Sequence, residues 1–207
     1  MIVRQLGRVD YLPTVDAMRE FTATRGAETP DELWVLEHPP VYTVGQAGRA
    51  EHLPRTSSIP VVRTDRGGQI TYHGPGQAIV YVMVDLSRRG LTVRGLVRRI
   101  EGSVIDTLAA HGVIAARRAG APGVYVNGAK VAALGLRVRH GRSYHGVALN
   151  VDMDLTPYTD IDPCGFPGLP VTQLADLGIR LAPARAGIAL AEAIARELEL
   201  RAHAEAD

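Results

Sequence analysis

Three features of the 207-residue sequence predict an α+β domain with a mixed or antiparallel sheet and helices beside it. Short strand-like runs outnumber helix-like ones, tight-turn signals join neighbouring strands, and the strand–helix–strand rhythm of a doubly wound parallel sheet is missing. The helices are expected on one face of the sheet. At this length, with 46% hydrophobic residues, one domain spanning 1–207 is the expected organisation.

The elements follow in order. Residues 13–25 read as a helix with Val15, Met18 and Phe21 or Thr22 on one face. ELWVLE at 32–37 reads as a strand ended by Pro39 and Pro40, and VYTV at 41–44 as another ending at Gly45. Residues 59–63 form a short strand, 66–76 a glycine-rich loop, and 77–86 a buried strand. Residues 92–111 give the clearest helix: Thr92 suits the N-cap, Leu96, Ile100, Val104 and Leu108 recur every four residues, and Gly112 suits the position after the end. A three-strand antiparallel meander follows, with Asn127-Gly128 and His140-Gly141-Arg142 turning strands 123–126, 130–139 and 143–151. Residues 157–170 form a loop with four prolines, and 184–201 a last helix with Ile188, Ala191, Ile194 and Leu198 in line.

Composition excludes several classes. A net charge of +1 gives nucleic acid binding no support. The longest strongly apolar run, 78–84, is far short of the ~20 residues a bilayer span needs. The N-terminal stretch has no continuous apolar core, so no signal peptide is expected, and a single cysteine cannot form an internal disulfide; a cytoplasmic location with no membrane partner is the simple expectation. Neither metal nor cofactor is expected. The seven histidines lack paired ligand spacing, and the glycines of 66–76 lack nucleotide-loop spacing. No nucleophile-elbow motif supports Ser-His-Asp catalysis.

The candidate chemistry rests on few residues. Cys164 lies in Asp162-Pro163-Cys164-Gly165, a turn and not an apolar periodic segment, and turns of this kind bring side chains to the rim of a site. A buried, inert thiol is the plainer alternative. Lys130 is the one lysine among 23 basic residues, and it opens a strand that continues Val131-Ala132-Ala133-Leu134. A lysine in such surroundings can serve as a base, which arginine, always protonated, cannot; an ordinary solvated lysine is the alternative. Together the two groups share a proton in one of two ways: the ammonium stabilises a thiolate, or the neutral amine accepts the thiol proton. His73 and His145 each sit in a Tyr-His-Gly triplet, suited to orienting a carbonyl or amine or to a structural hydrogen bond. Arg117, Arg118, Arg137, Arg139, His140 and Arg142 make a solvated basic face or a docking patch for an acidic carrier protein.

Five segments, in one order, resemble the octanoyl-[acyl-carrier-protein]:protein N-octanoyltransferases: EHPPVYT at 37–43, RGGQITYHGPGQ at 66–77, GAKVAALG at 128–135, HGVALN at 145–150 and PCG at 163–165. The resemblance implies a fold similar to the biotin and lipoate protein ligase catalytic domain. It implies that Cys164 carries an acyl thioester and that Lys130 tunes or deprotonates it. It further implies an acyl pocket from Arg66, Gly67, Gly68, Gln69, Ile70, Thr71, Tyr72 and His73, from Ala133, Leu134 and Gly135, and from His145, Gly146, Val147 and Ala148. The implied donor is octanoyl-acyl carrier protein. The implied acceptors are lipoyl domains of 2-oxoacid dehydrogenase E2 subunits and the glycine cleavage H protein, and the implied place is lipoate biosynthesis. Two rivals stand beside it: an ATP-dependent lipoate or biotin ligase, and a non-catalytic acyl-protein binding module.

Overall fold

The computed structural model describes residues 1–54, 57–162 and 168–200. In chain order the elements are β1 (Ile2–Arg8), α1 (Tyr11–Thr24), β2 (Glu32–Glu37), β3 (Val41–Val44), β4 (Val61–Arg63), β5 (Ile70–His73), β6 (Gln77–Met83), α2 (Val93–Ala109), β7 (Ala116–Arg117), β8 (Gly123–Val126), β9 (Ala129–Arg139), β10 (Arg142–Asn150) and α3 (Pro183–Leu200). The strands make a seven-stranded sheet, β1-β2-β6-β10-β9-β8-β7, and a three-stranded sheet, β4-β3-β5. Both are mixed: β1 runs parallel to β2 and β4 parallel to β3, while the other pairs are antiparallel. This is the α+β architecture expected.

Strand β6 organises the core because both its faces are buried, which explains its unbroken apolar run. Ala78, Val80 and Val82 pack with Leu96, Ile100, Val104 and Leu108 of α2 and with Leu190, Ala191 and Ile194 of α3. Ile79, Tyr81 and Met83 point the other way and pack with Tyr11, Val15 and Met18 of α1. The expectation of helices on one face is therefore corrected: α1 covers the face opposite α2 and α3. The stripe of α2 is wholly buried, each side chain worth about 1.5–3 kcal/mol on removal from water. Its start is as read, with the Thr92 hydroxyl accepting from the Gly95 N–H at 3.0 Å, and Gly112 has φ +75°.

Both predicted hairpins are present. Asn127-Gly128 (φ +49° and +84°) and His140-Gly141 (φ +51° and +72°) supply the paired positive φ that a tight two-residue turn needs. Two strands go beyond the sequence reading: β1, exposed at every position, and β5, which lies inside the stretch read as a glycine-rich loop. The 157–170 loop opens on a 3₁₀ turn, Thr156–Asp160. Among the described residues no helix is long and apolar enough to cross a membrane. The corner between α1 and the β6–α2 connection is fastened by buried Asp31, whose carboxylate meets Arg25, Arg88 and Arg89 at 2.6 Å each.

Candidate active site

A cleft, partly open to solvent, lies over the β6–β10–β9 face on the α1 side. Its floor holds Ala133, Gly135, Gly146 and Ala148; Ile79, Tyr81 and Tyr11 wall one end; Gly68, Gln69, Ile70, Thr71 and His73 roof it. Arg66, Leu134, His145 and Val147 complete the lining. Of the residues the sequence singled out, Gly67, Tyr72 and Lys130 are not in that lining. Tyr72 points into a separate cluster with Tyr42 and Tyr158, and the Gly67 N–H is bonded to the Leu136 carbonyl at 2.8 Å. Tyr11, Ile79 and Tyr81 were not singled out.

The roof is strapped down by its backbone. The N–H groups of Gly45, Gln46 and Ala47 donate to the carbonyls of Gln69, Arg66 and Gly68. A Cβ at Gly45 would run into the Gly68 carbonyl, and one at Gly135 would come within 2.9 Å of the Gly67 carbonyl, so glycine is what permits the close approach. Beneath the strap a directed polar chain runs through the protein. The Arg66 guanidinium donates to the carbonyl and hydroxyl of buried Thr43 at 2.5 and 2.8 Å. The Gln77 amide NH₂ is committed to Tyr72, Asn150 and Tyr158, so its oxygen accepts from His73 Nδ1 at 2.7 Å. That fixes the tautomer, and His73 Nε2 accepts from the Thr43 hydroxyl at 3.3 Å. Burial pushes the His73 pKa down to about 3, so the ring is neutral. His38, bonded to Tyr81 through Nε2 (2.7 Å) and to the Val9 carbonyl (2.6 Å), is likewise pushed down by burial, to about 4.

His145 has φ +61°, a conformation that costs a non-glycine residue about 1–3 kcal/mol and needs its surroundings to hold it. Asp65 does so, 3.0 Å from Nε2, while also accepting from the Tyr144 hydroxyl (2.5 Å) and pairing with Arg19 (3.2 Å). The hydrogen bond from His145, with those from Tyr144 and Arg19, holds the Asp65 carboxyl well below the usual carboxylate range. Burial lowers the His145 pKa despite Asp65, so the pair is a neutral imidazole donating to an ionised carboxylate, with Nδ1 left as an acceptor.

Lys130 reaches the same face through an irregularity. Val124 opposes Ala132 but Tyr125 opposes Lys130, which leaves Val131 as an extra residue in β9. Val131 and Ala132 both enter the α2/α3 core, so the bulge turns Lys130 to the side of Ala133. There the lysine is 3% exposed. Its Nζ donates to the Pro122 carbonyl at 3.2 Å and lies 5.1 Å from the Tyr125 ring centroid. The side chain passes over Gly123, where a Cβ would stand 3.3 Å from Cε and 3.4 Å from Nζ. The Lys130 backbone bonds the end of the proline-rich loop and the segment just after it: its N–H donates to the Pro170 carbonyl (2.8 Å), and its carbonyl accepts from Thr172 (3.0 Å). Cys164 lies outside the described residues, as do its neighbours 163–167. Of the arginine patch, Arg137 bonds Gln46 and Arg142 pairs with Asp85 at 3.5 Å.

Comparison with known proteins adds the following. Residues 10–195 match the family model described as the lipoyl protein ligase A/B catalytic domain. The chain is 62% identical over 198 residues to an octanoyltransferase of Thiobacillus denitrificans, covering 96% of this chain and 91% of that protein. It is 59% identical to an octanoyltransferase of Dechloromonas aromatica, covering 96% and 97%. Among solved structures it is similar to a lipoate-protein ligase A bound with ATP (TM-score 0.75, 16% identity, 96% of this chain and 86% of that one). It is also similar to the biotin protein ligase of Aquifex aeolicus (TM-score 0.59, 12% identity, 98% and 71%). At such identities these structures speak for the fold alone.

Proposed function

This chain belongs to the lipoyl protein ligase A/B catalytic domain family, among its octanoyltransferases, and from that membership we propose a complete two-step acyl transfer. The protein is an acyltransferase. In the first step the Cys164 thiolate attacks the thioester carbonyl of octanoyl-acyl carrier protein, forming an octanoyl-Cys164 thioester and releasing the carrier thiol. In the second step the amine of an acceptor lysine attacks that thioester, the Cys164 sulfur leaves, and a stable amide results. The acceptors are lipoyl domains of 2-oxoacid dehydrogenase E2 subunits and the glycine cleavage H protein, which places the reaction in lipoate biosynthesis, in the cytoplasm.

One thioester replaces another in the first step, and an amide replaces a thioester in the second, so no nucleotide is consumed. Lys130 provides the ammonium beside the thiolate or takes up its proton. The octanoyl tail occupies the cleft, where about seven buried carbons at ~0.8 kcal/mol each contribute roughly 5.6 kcal/mol and favour medium chains over acetyl. Arg66 to His73, Ala133 to Gly135 and His145 to Ala148 form its walls, with Gly67 and Tyr72 acting behind them as supports.

The observation that carries this reading is the single lysine of the chain, turned by a bulge to the side of the sheet on which the cleft lies and hydrogen-bonded through its backbone to the segment that follows the cysteine. The test is intact mass after mixing with octanoyl-carrier protein. One octanoyl increment is expected on the wild type, with none on Cys164→Ala, and onward transfer to a lipoyl domain is expected without ATP. An ATP requirement together with full activity of Cys164→Ala would replace this reading with the ligase rival.

A further inference from the structure

The cross-strand register makes the cleft floor a ruler, and we propose that Ile79 and Tyr81 set the length of acyl chain accepted; this rests on the acyl-pocket reading above. Gly123 on β8, Ala133 on β9, Ala148 on β10 and Ile79 on β6 are successive cross-strand partners, forming one row at right angles to the strands. Gly135, Gly146 and Tyr81 form the next row. Residues directly opposite share a face, so both rows lie on the cleft side of the sheet, and every member but Gly123 lines the cleft. The Lys130 amine lies over Gly123, at one end of the first row. Moving away from it, the floor reads alanine, alanine, isoleucine in one row and glycine, glycine, tyrosine in the other.

Both large side chains belong to β6, two strands beyond β9. Neighbouring strands lie ~4.8 Å apart, so the backbone positions of Ala133 and Ile79 are about 9.6 Å apart across the floor. With carbon–carbon bonds of ~1.5 Å, an extended alkyl chain advances about 1.25 Å per bond, and eight carbons span about 9 Å from carbonyl to methyl. The two lengths agree to within one methylene.

The stop is firm and the floor is fixed. Ile79 and Tyr81 are buried, and the rows continue behind them into Leu36 and Trp34 of β2. The Tyr81 hydroxyl is held by His38 at 2.7 Å. A Cβ at Gly146 would collide with the Val80 carbonyl, so that position stays empty of side chain. Ala148 is where bulk can be added, and Ile79 is where it can be removed.

The experiment gives the wild type, Ile79→Ala and Ala148→Val an equimolar mixture of C6, C8, C10 and C12 acyl-carrier proteins. The enzyme adducts are read by intact mass, and folding is checked by circular dichroism. The wild type is expected to take C8. Ile79→Ala is expected to raise the C10-to-C8 ratio about 15-fold, because two further methylenes are buried at roughly fourfold each. Ala148→Val is expected to move the preference to C6. Should Ile79→Ala not fold, Ile79→Val with Ala148→Val carries the test. A C8 adduct on the wild type with an unmoved profile in the folded variants overturns the stop and leaves the acyl pocket standing. No adduct of any length on the wild type overturns the acyl-transfer reading, and the ruler with it.

Discussion

Gly123→Ala is the substitution whose effect the structure defines most closely. Gly123 has φ +130°, outside the region an L-residue adopts readily, and holding alanine there costs about 1–3 kcal/mol. The new Cβ would also lie 2.5 Å from the Ala132 carbonyl, a backbone atom that moves only by disturbing the β8–β9 ladder, and such overpacking adds about 1–3 kcal/mol. A total near 4 kcal/mol corresponds to a fall in Tm of about 8–16 °C for a chain of this size. The same methyl presses on Lys130 Cε and Nζ at 3.3 and 3.4 Å. A catalytic group misplaced by about 1 Å costs on the order of 100-fold in rate, so on the role proposed for Lys130 turnover is expected to fall by up to about that factor at temperatures where the variant is folded. The control is Gly120→Ala, where φ is +74° but nothing lies within 4 Å of the added carbon. Its cost is backbone strain alone, about 1 kcal/mol, with turnover unchanged. The assays are thermal melts by circular dichroism and octanoyl transfer to a lipoyl domain. Equal melting points and equal rates for the two variants would refute the assignment of Gly123 as the passage for the lysine.

Other perturbations have equally definite outcomes. Lys130→Arg keeps the charge but gives up the capacity to accept a proton in a niche shaped by Gly123, Tyr125 and the Pro122 carbonyl; turnover is expected to drop by orders of magnitude, and near-normal turnover would assign the lysine to charge alone. Thr43→Val removes the hydroxyl that links Arg66 to His73 and leaves buried partners unsatisfied, costing about 1–3 kcal/mol in chemical denaturation, and KM for the donor should rise as the roof loosens. For pH, His38 and His73 have folded pKa values lowered to about 4 and about 3 from an ordinary value near 6.5. Their stabilisation is complete above pH 6.5 and is lost as pH falls toward those values, because the unfolded chain takes up protons first. Each ring contributes a slope of about 1.4 kcal/mol per pH unit within that window. Tm should therefore decline between pH 6.5 and 5, and a flat profile there would show that the rings are not held neutral. Below pH 4 the loss continues as Asp31 and Asp65, whose carboxyl pKa values are lowered by their partners, become protonated.

What the sequence made legible was local. The α2 stripe, its Thr92 cap and the two positive-φ hairpins are each decided by residues a few positions apart, and each is present. The buried run of β6 was readable because burial on both faces leaves no polar interruption. Strand β1 was not, because all seven residues are exposed and its register comes from pairing with β2, about 30 residues away. Glycines on either side disguised β5. Read as a strand, its alternation sends Tyr72 away from Thr71 and His73, which is where the structure places it. Motif resemblance located most of the cleft lining but passed over Tyr11, Ile79 and Tyr81, which in sequence are indistinguishable from core residues. Alternate positions of β6 pointing to opposite faces were the one available signal.

The bulge at Val131 has a consequence for how this chain tolerates change. In an extended strand, outward and inward positions obey a parity rule, and Lys130 lies three positions from Ala133, on the wrong count to share its side. One supernumerary residue corrects the count. The identity of residue 131 is therefore negotiable among apolar side chains, whereas its presence is not: removing it would reverse the heading of the lysine while altering no chemical group in the cleft. Length, at this point in the chain, is as much a part of what places the lysine as composition.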